Sequence, residues 1–215
     1  MKSDYVHYRK LGKELNHRVT QMVTRYELES AARSLGMLVR GVIVFDSEDE
    51  GGTLMDRAFY DLRRGNKNVI ARFIGANPPE SFSEDEKRLL EGMSKAWFSL
   101  FQVNAVNLHE SSILLEDLIK PSQPLKLFDI NLSQTLSVNL FFATRLIPID
   151  DWHMTGGVGY PFLPHRVPEL LAGLKQRKYG SKKRKYKIIP PEDYSAYFFH
   201  AFKRLGEGDI SFQDI

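Results

Sequence analysis

The rhythm of apolar and polar positions changes twice along this chain. Between residues 98 and 162 short apolar runs are separated by turn-forming residues and show no helical period, whereas on both sides apolar positions recur at three- and four-residue steps. Within the central stretch, Phe101, Val103 and Ala105 alternate with Gln102 and Asn104, the pattern of a strand with one wet face. Residues 113–119 and 125–130 read as the next two strands, joined across Pro121 and Pro124, where proline discourages continued pairing. Residues 140–147 form a continuous apolar run, hence a central strand, and 152–160 supply the last. Five short strands predict a small antiparallel β-barrel of SH3-like or OB-like kind, or a curled sheet.

The flanks predict helices. Leu11, Leu15, Val19, Met22, Val23 and Tyr26 share one stripe of an amphipathic helix over residues 5–35, with Gly36 as its stop. Residues 37–45 are branched and apolar, so they form either a short buried strand or an extended linker. Asp46, Ser47, Glu48, Asp49 and Glu50 precede Leu54, Met55, Ala58, Phe59 and Leu62, which places acids at a helix start with Ser47 and Glu50 at capping-box spacing and Gly65 at the end. A shorter helix carries Val69, Ile70, Phe73 and Ile74 and stops at Gly75. Ser83 and Glu86 make a second capping box ahead of Leu89, Leu90, Met93 and Trp97. After Pro164, Val167, Leu170, Leu171 and Leu174 share a face, and Pro190-Pro191 opens a last helix with Tyr194, Tyr197, Phe198, Ala201, Phe202 and Leu205. That aromatic face is expected to return to the body. The fold class is therefore α+β, with a helical region at 1–97, a β unit at 98–163 and C-terminal helices at 164–215, as separate units or one compact domain.

Charge adds the one feature that points to a partner. The net charge is only +3, but residues 166–205 carry +8 while residues 1–164 carry −2. Lys175, Arg177, Lys178, Lys182, Lys183, Arg184, Lys185 and Lys187 place eight cations in thirteen residues without an acid, and Tyr179 and Tyr186 lie among them. Such like charge is favourable only if solvated or neutralised. A polyphosphate backbone neutralises it and releases counterions, while the tyrosines can stack on bases. The segment is expected to be a loop held at both ends by the flanking helices and to bind nucleic acid, RNA or any sequence. A solvated loop, an acidic protein surface or a membrane surface are the other readings. A protein-interaction module built on the last helix is the alternative function, with an exposed patch along Tyr197, Phe198 and Phe202 as its sign.

Other features narrow the chemistry. Cysteine is absent, which removes disulfides, thiol nucleophiles and thiolate metal sites. No apolar run reaches the length of a membrane span, and the first ten residues lack the apolar core of a secretory signal, so a soluble cytoplasmic protein is expected, or a nuclear one if the KKRK at residues 182–185 serves import. Asp150, Asp151 and His153 are close enough for a carboxylate to orient an imidazole, the nearest thing to a catalytic site, although a strand-to-strand turn explains them as well. The acids at residues 46–50 with Asp56 lack calcium-loop spacing, and capping explains them. His7, His17, His109, His165 and His200 show no ligand spacing, so no metal or cofactor is implied. Thr155-Gly156-Gly157-Val158-Gly159 has the composition of a phosphate loop but runs into Tyr160-Pro161, so a bulge or close backbone approach is the expected role. If the basic segment folds over those glycines, the two would make one anion surface. Of Phe98, Phe101, Phe128, Phe141, Phe142 and Trp152, at least four are expected inside the barrel rather than on a stacking platform.

The FDSEDE run ahead of a helix, WFSLFQV, SQTL and DWHMTGGVGYPF resemble the middle region of uncharacterised bacterial proteins, some of which carry a terminal SEC-C zinc motif. The resemblance covers residues 36–163 and implies no activity. The zinc motif itself needs cysteines that this chain does not have.

Overall fold

A computed structural model describes residues 2–177 and 186–205, the side chains at 176, 177, 186 and 187 excepted. The architecture is α+β. Five strands close into a barrel in the order β3-β4-β5-β7-β6, where β3 is Trp97–Asn107, β4 Ser112–Asp117, β5 Leu125–Phe128, β6 Phe141–Ile149 and β7 Trp152–Phe162. All pairs are antiparallel but one: β5 lies parallel to β7, with Leu127 opposite His153, so the barrel is mixed rather than antiparallel throughout. Five strands cannot alternate direction all the way round a closed ring, so one neighbouring pair must be parallel, and the short helix α6, Ile130–Thr135, which occupies the SQTL stretch, lies between β5 and β6. Asp129 caps it by accepting from the Leu132 amide at 3.0 Å, and it inserts Leu132 and, just beyond its end, Leu136 into the barrel core.

The barrel is dry inside and covered on two outer faces. Its interior holds Phe101, Val103, Ile113, Leu115, Leu127 and Phe142. One outer face, through Ile147, Ile149, Trp152 and Met154, packs against α1 (Lys2–Thr20), α4 (Val69–Ala76) and α5 (Glu84–Lys95). The other, through Phe98, Leu100, Tyr160 and Phe162, packs against α2 (Arg25–Ser34), α3 (Glu50–Asp56), α7 (Val167–Gly173) and α8 (Tyr194–Leu205). Phe98, Phe101, Phe128, Phe142 and Trp152 are all buried, but only Phe101 and Phe142 fill the barrel; Phe98, Phe128 and Trp152 are buried in the clusters between the barrel and the helices.

Local chemistry explains where the helices depart from the periodic pattern. The first stripe is two helices, because Thr24 and Glu27 form a capping box that starts α2 and interrupts what the apolar spacing alone would continue. Residues 37–45 form neither a buried strand nor a linker but a hairpin of β1 (Leu38–Val39) and β2 (Val42–Ile43), turned at Arg40-Gly41 with both φ angles positive. Ser47 does not cap α3. Asp49 takes the cap position without a side-chain bond, and Glu50 reaches back to the Asp46 amide at 2.8 Å. The helix ends at Asp61 rather than Gly65, which instead forms a turn with Asn66. The Ser83 and Glu86 box is present, but Trp97 opens β3 instead of closing α5.

α5 lies so close to β6 that Gly92 has the Pro148 carbonyl where a side chain would go, with Ile147 and Ile149 carbons 3.2 and 3.3 Å from the same point. Alanine normally improves a helix interior by about 0.5–1 kcal/mol over glycine. Here backbone blocks the methyl, so Gly92→Ala is expected to lower unfolding free energy by about 1–3 kcal/mol in urea titration.

Candidate functional site

The basic segment leaves the body as a β-ribbon. β8, Lys175–Arg177, pairs antiparallel with β9, Tyr186–Ile188, in the register Lys175 to Ile188, Gln176 to Lys187 and Arg177 to Tyr186. Its root is buried: Leu174 and Ile189 are in the core, and the Ile189 amide donates to the Leu174 carbonyl at 2.9 Å. α7 is tied to α8 by Tyr197, whose hydroxyl donates to the Leu170 carbonyl at 2.7 Å and whose ring fills the space beside Gly173. The loop is thus held at both ends, as the sequence predicts. Lys175 is exposed and makes no ion pair with a described residue. Lys178, Tyr179, Lys182, Lys183, Arg184 and Lys185 lie outside the described residues, as do the side chains of Arg177, Tyr186 and Lys187.

What fixes α8, and with it the ribbon, is a buried ionic knot that the sequence reading missed. Arg145 stands in the middle of β6, inside the run read as continuously apolar, and is 2% exposed. Its Nε and Nη2 donate to the two Asp56 oxygens at 2.9 Å each, and Nη2 also donates to Asp61 at 2.8 Å. Tyr60 and Phe98 lie against its guanidinium at 4.4 and 5.5 Å. In an α-helix, positions five apart point about 140° away from each other. The π-helical turn Arg57–Asp61 widens the coil and brings Asp56 and Asp61 to one cation. Ser195 of α8 donates to Asp61, and Arg57 binds Asp193 at 2.7 Å and the Glu192 carbonyl, just ahead of α8. Burial pushes the Asp61 carboxyl above its ordinary range while the Arg145 guanidinium pulls it back. Asp56, grouped with the acids at 46–50 in the sequence, is therefore a structural counterion. A lone cation within a central strand was the available signal, since it can be buried only with an acid to meet it.

The glycine stretch of β7 and the acidic turn before α3 meet in a cleft of about 350 Å³. Between Thr144 and Leu146 the β6–β7 ladder slips, so that Gly156, Gly157 and Val158 stand opposite Arg145 alone. This is the expected bulge. A side chain at Gly156 would sit 3.1 Å from Asp56, and one at Gly159 would collide with the Phe142 ring. Ser47, Glu48, Asp49 and Glu50 form another wall, Asp129 and Arg9 a third, and Phe199, Phe202 and Lys203 of α8 close it. The ribbon root is elsewhere. Ile188, Ile189 and Pro190 line a separate hollow with Tyr197, His200 and Arg204, residues on the opposite face of α8. The described root of the ribbon thus lies apart from the glycines, and the rest of the basic segment, on which a shared anion surface would depend, lies outside the described residues.

Asp150, Asp151 and His153 do not converge. Asp150 turns with positive φ between β6 and β7 and lies 3.6 Å from Arg88, and Asp151 is exposed. The His153 ring meets the Lys126 carbonyl at 3.2 Å through Nδ1 and the edge of Trp97, and no carboxylate among the described residues orients it. His7 pairs with Asp85, and His200 with the Ser34 carbonyl. Among the described residues no group of three or more His, Asp or Glu side chains is placed to hold a metal ion, and no helix is long and apolar enough to cross a membrane. The aromatic face of α8 is turned inward: Phe198 is fully buried against Phe98 and Phe162, and Phe202 stacks on Tyr160, so no apolar patch lies there.

The model of a family of unknown function, DUF7986, matches residues 1–208, and the chain belongs to that family. No curated protein and no solved structure matches it. The match takes in the N-terminal helices and the ribbon as well as the barrel. For His153 the geometry itself supplies the test. Burial lowers its pKa from the ordinary value of 6.5, so below pH 6.5 the unfolded chain binds the proton first, and the stability this site contributes at neutral pH is lost as pH falls. His153→Gln is expected to flatten the decline of melting temperature between pH 6.5 and 5.

Proposed function

We propose that this member of a family of unknown function binds nucleic acid through the β8–β9 ribbon, as a cytoplasmic accessory protein with little base-specific readout. The observation that carries the reading is a ribbon rooted at both ends in the core, which brackets a segment whose sequence holds eight Lys and Arg in thirteen residues with no acid. A two-stranded ribbon fits a major groove or follows a single strand, and its cations grip phosphates irrespective of sequence.

Several carboxylates of the body already have a cation of their own. Glu27 is held by Arg72, Glu86 by Arg18, Asp46 and Glu50 by Lys203, Glu169 by Arg204 and Asp193 by Arg57. These pairings favour an external anion as the ribbon's counter-charge. Zinc has no place in this reading, since the cysteines of a SEC-C motif are missing.

A second reading, a protein-interaction module, is favoured by a different element than the last helix. The β1–β2 hairpin exposes Val39 by 52% and Val42 by 62%, with Val44 and Phe45 beside them. Such a contiguous apolar surface marks a contact site.

Replacing Lys182, Lys183, Arg184 and Lys185 together by Ala is expected to weaken binding of single-stranded and duplex probes alike and to reduce the salt slope by about 3, with the melting temperature unchanged. Gel-shift titration at two salt concentrations reads both. Unchanged affinity and slope in that variant would remove the ribbon reading and leave the hairpin one standing.

A further inference from the structure

We infer that the cleft between β7, α3 and α8 is a binding site for a small zwitterion, with an oxyanion held by Arg9 and an ammonium held by Glu48 and Asp49. Its volume, about 350 Å³, lies in the range of small-molecule sites. The argument comes from which of its charges are already matched. Glu50 accepts from the Asp46 amide and from Lys203, at 2.8 and 2.7 Å, and Lys203 also binds Asp46 at 2.6 Å. Asp129 accepts from the Leu132 amide at 3.0 Å and from the Thr155 hydroxyl at 3.3 Å. These groups have their partners.

Arg9, Glu48 and Asp49 have no ion-pair partner among the described residues. Arg9 is half-buried, and its one hydrogen bond to a described residue runs from Nη1 to the Thr155 carbonyl at 3.1 Å, which aims the guanidinium without neutralising it. It lies beside Gly157, whose φ is +96° and whose missing side chain leaves the guanidinium open; a Cβ there would touch both Nη atoms at 3.8 and 3.9 Å. Glu48 and Asp49 are exposed on a different wall and make no ion pair with a described residue. A simple anion at Arg9 would meet two unmatched carboxylates, and a simple cation would leave the guanidinium unpaired. A molecule carrying both charges satisfies each in turn, in the fork geometry that guanidinium offers a carboxylate or phosphate. Val158 and the stacked rings of Tyr160 and Phe202, 5.4 Å apart, give its apolar part a surface. The cleft lies on the opposite face of α8 from the ribbon root, so the proposal does not rest on nucleic-acid binding.

Isothermal titration of the full chain with three probes that share a phenylethyl skeleton separates the charges: L-phenylalanine has both, 3-phenylpropionate only the anion, phenethylamine only the cation. Phenylalanine is expected to bind about tenfold or more tighter than either. Arg9→Met, and Glu48→Gln with Asp49→Asn, are each expected to remove about tenfold of that affinity, with circular dichroism and melting temperature unchanged. Should Arg9→Met prove unstable, Val158→Trp, which fills the cleft from its wall, is expected to abolish binding. Binding of none of the three, equal binding of a singly charged probe, or unaltered affinity in the variants would overturn the site.

Discussion

One buried guanidinium ties the three parts of this chain together. Arg145 stands in a strand of the barrel, its two carboxylates come from the helix before the barrel, and one of those carboxylates also holds the helix after it through Ser195. Removing one partner of a buried ion pair costs about 3–5 kcal/mol, because the survivor keeps its desolvation penalty without its attraction. Three departures from regular structure serve this contact. The ladder slip at Gly156–Val158 makes room for the side chain, the missing Cβ at Gly156 lets Asp56 approach, and the π-turn at Arg57–Asp61 turns Asp61 to the same side as Asp56.

What this arrangement positions is α8, and α8 separates two surfaces. On one face it braces the root of the basic ribbon through Tyr197, with Arg204 and His200 lining the hollow beside it. On the other it supplies Phe199, Phe202 and Lys203 to the cleft over the glycine bulge. The proposed attraction to a polyanion and the inferred recognition of a small molecule would thus rest on one helix without sharing its residues. Each depends on the same knot for its placement.

Much of the fold was legible because it is written in local periodicity. The five strands, the Ser83 box, the helix from Asn68 and the return of the aromatic last helix follow from spacing and caps. The misses have a common physical origin in competition between local signals or between distant partners. Thr24 and Glu27 cut a helix whose apolar stripe continues past them, and Asp129 starts a helix in residues that also suit a turn. The parallel pairing of β5 with β7 leaves no trace in either strand's pattern. A cation in a central strand signals that Arg145 needs an acid, but Asp56 and Asp61 stand 89 and 84 residues away in sequence, so which acids meet it was not legible until the fold joined them. The ribbon was readable as charge density and the cleft was not, since its walls come from six separate stretches of chain.

The central claim is that a single ionic contact couples the N-terminal helices, the barrel and α8. Native-state hydrogen exchange on the wild type and on Arg145→Met, followed by mass spectrometry, measures that coupling directly. The account predicts that amides in β6, in residues 50–61 and in α8 lose protection together, by a similar free energy. Loss of protection confined to the neighbours of residue 145 in β6, with residues 50–61 and α8 as protected as before, would contradict it.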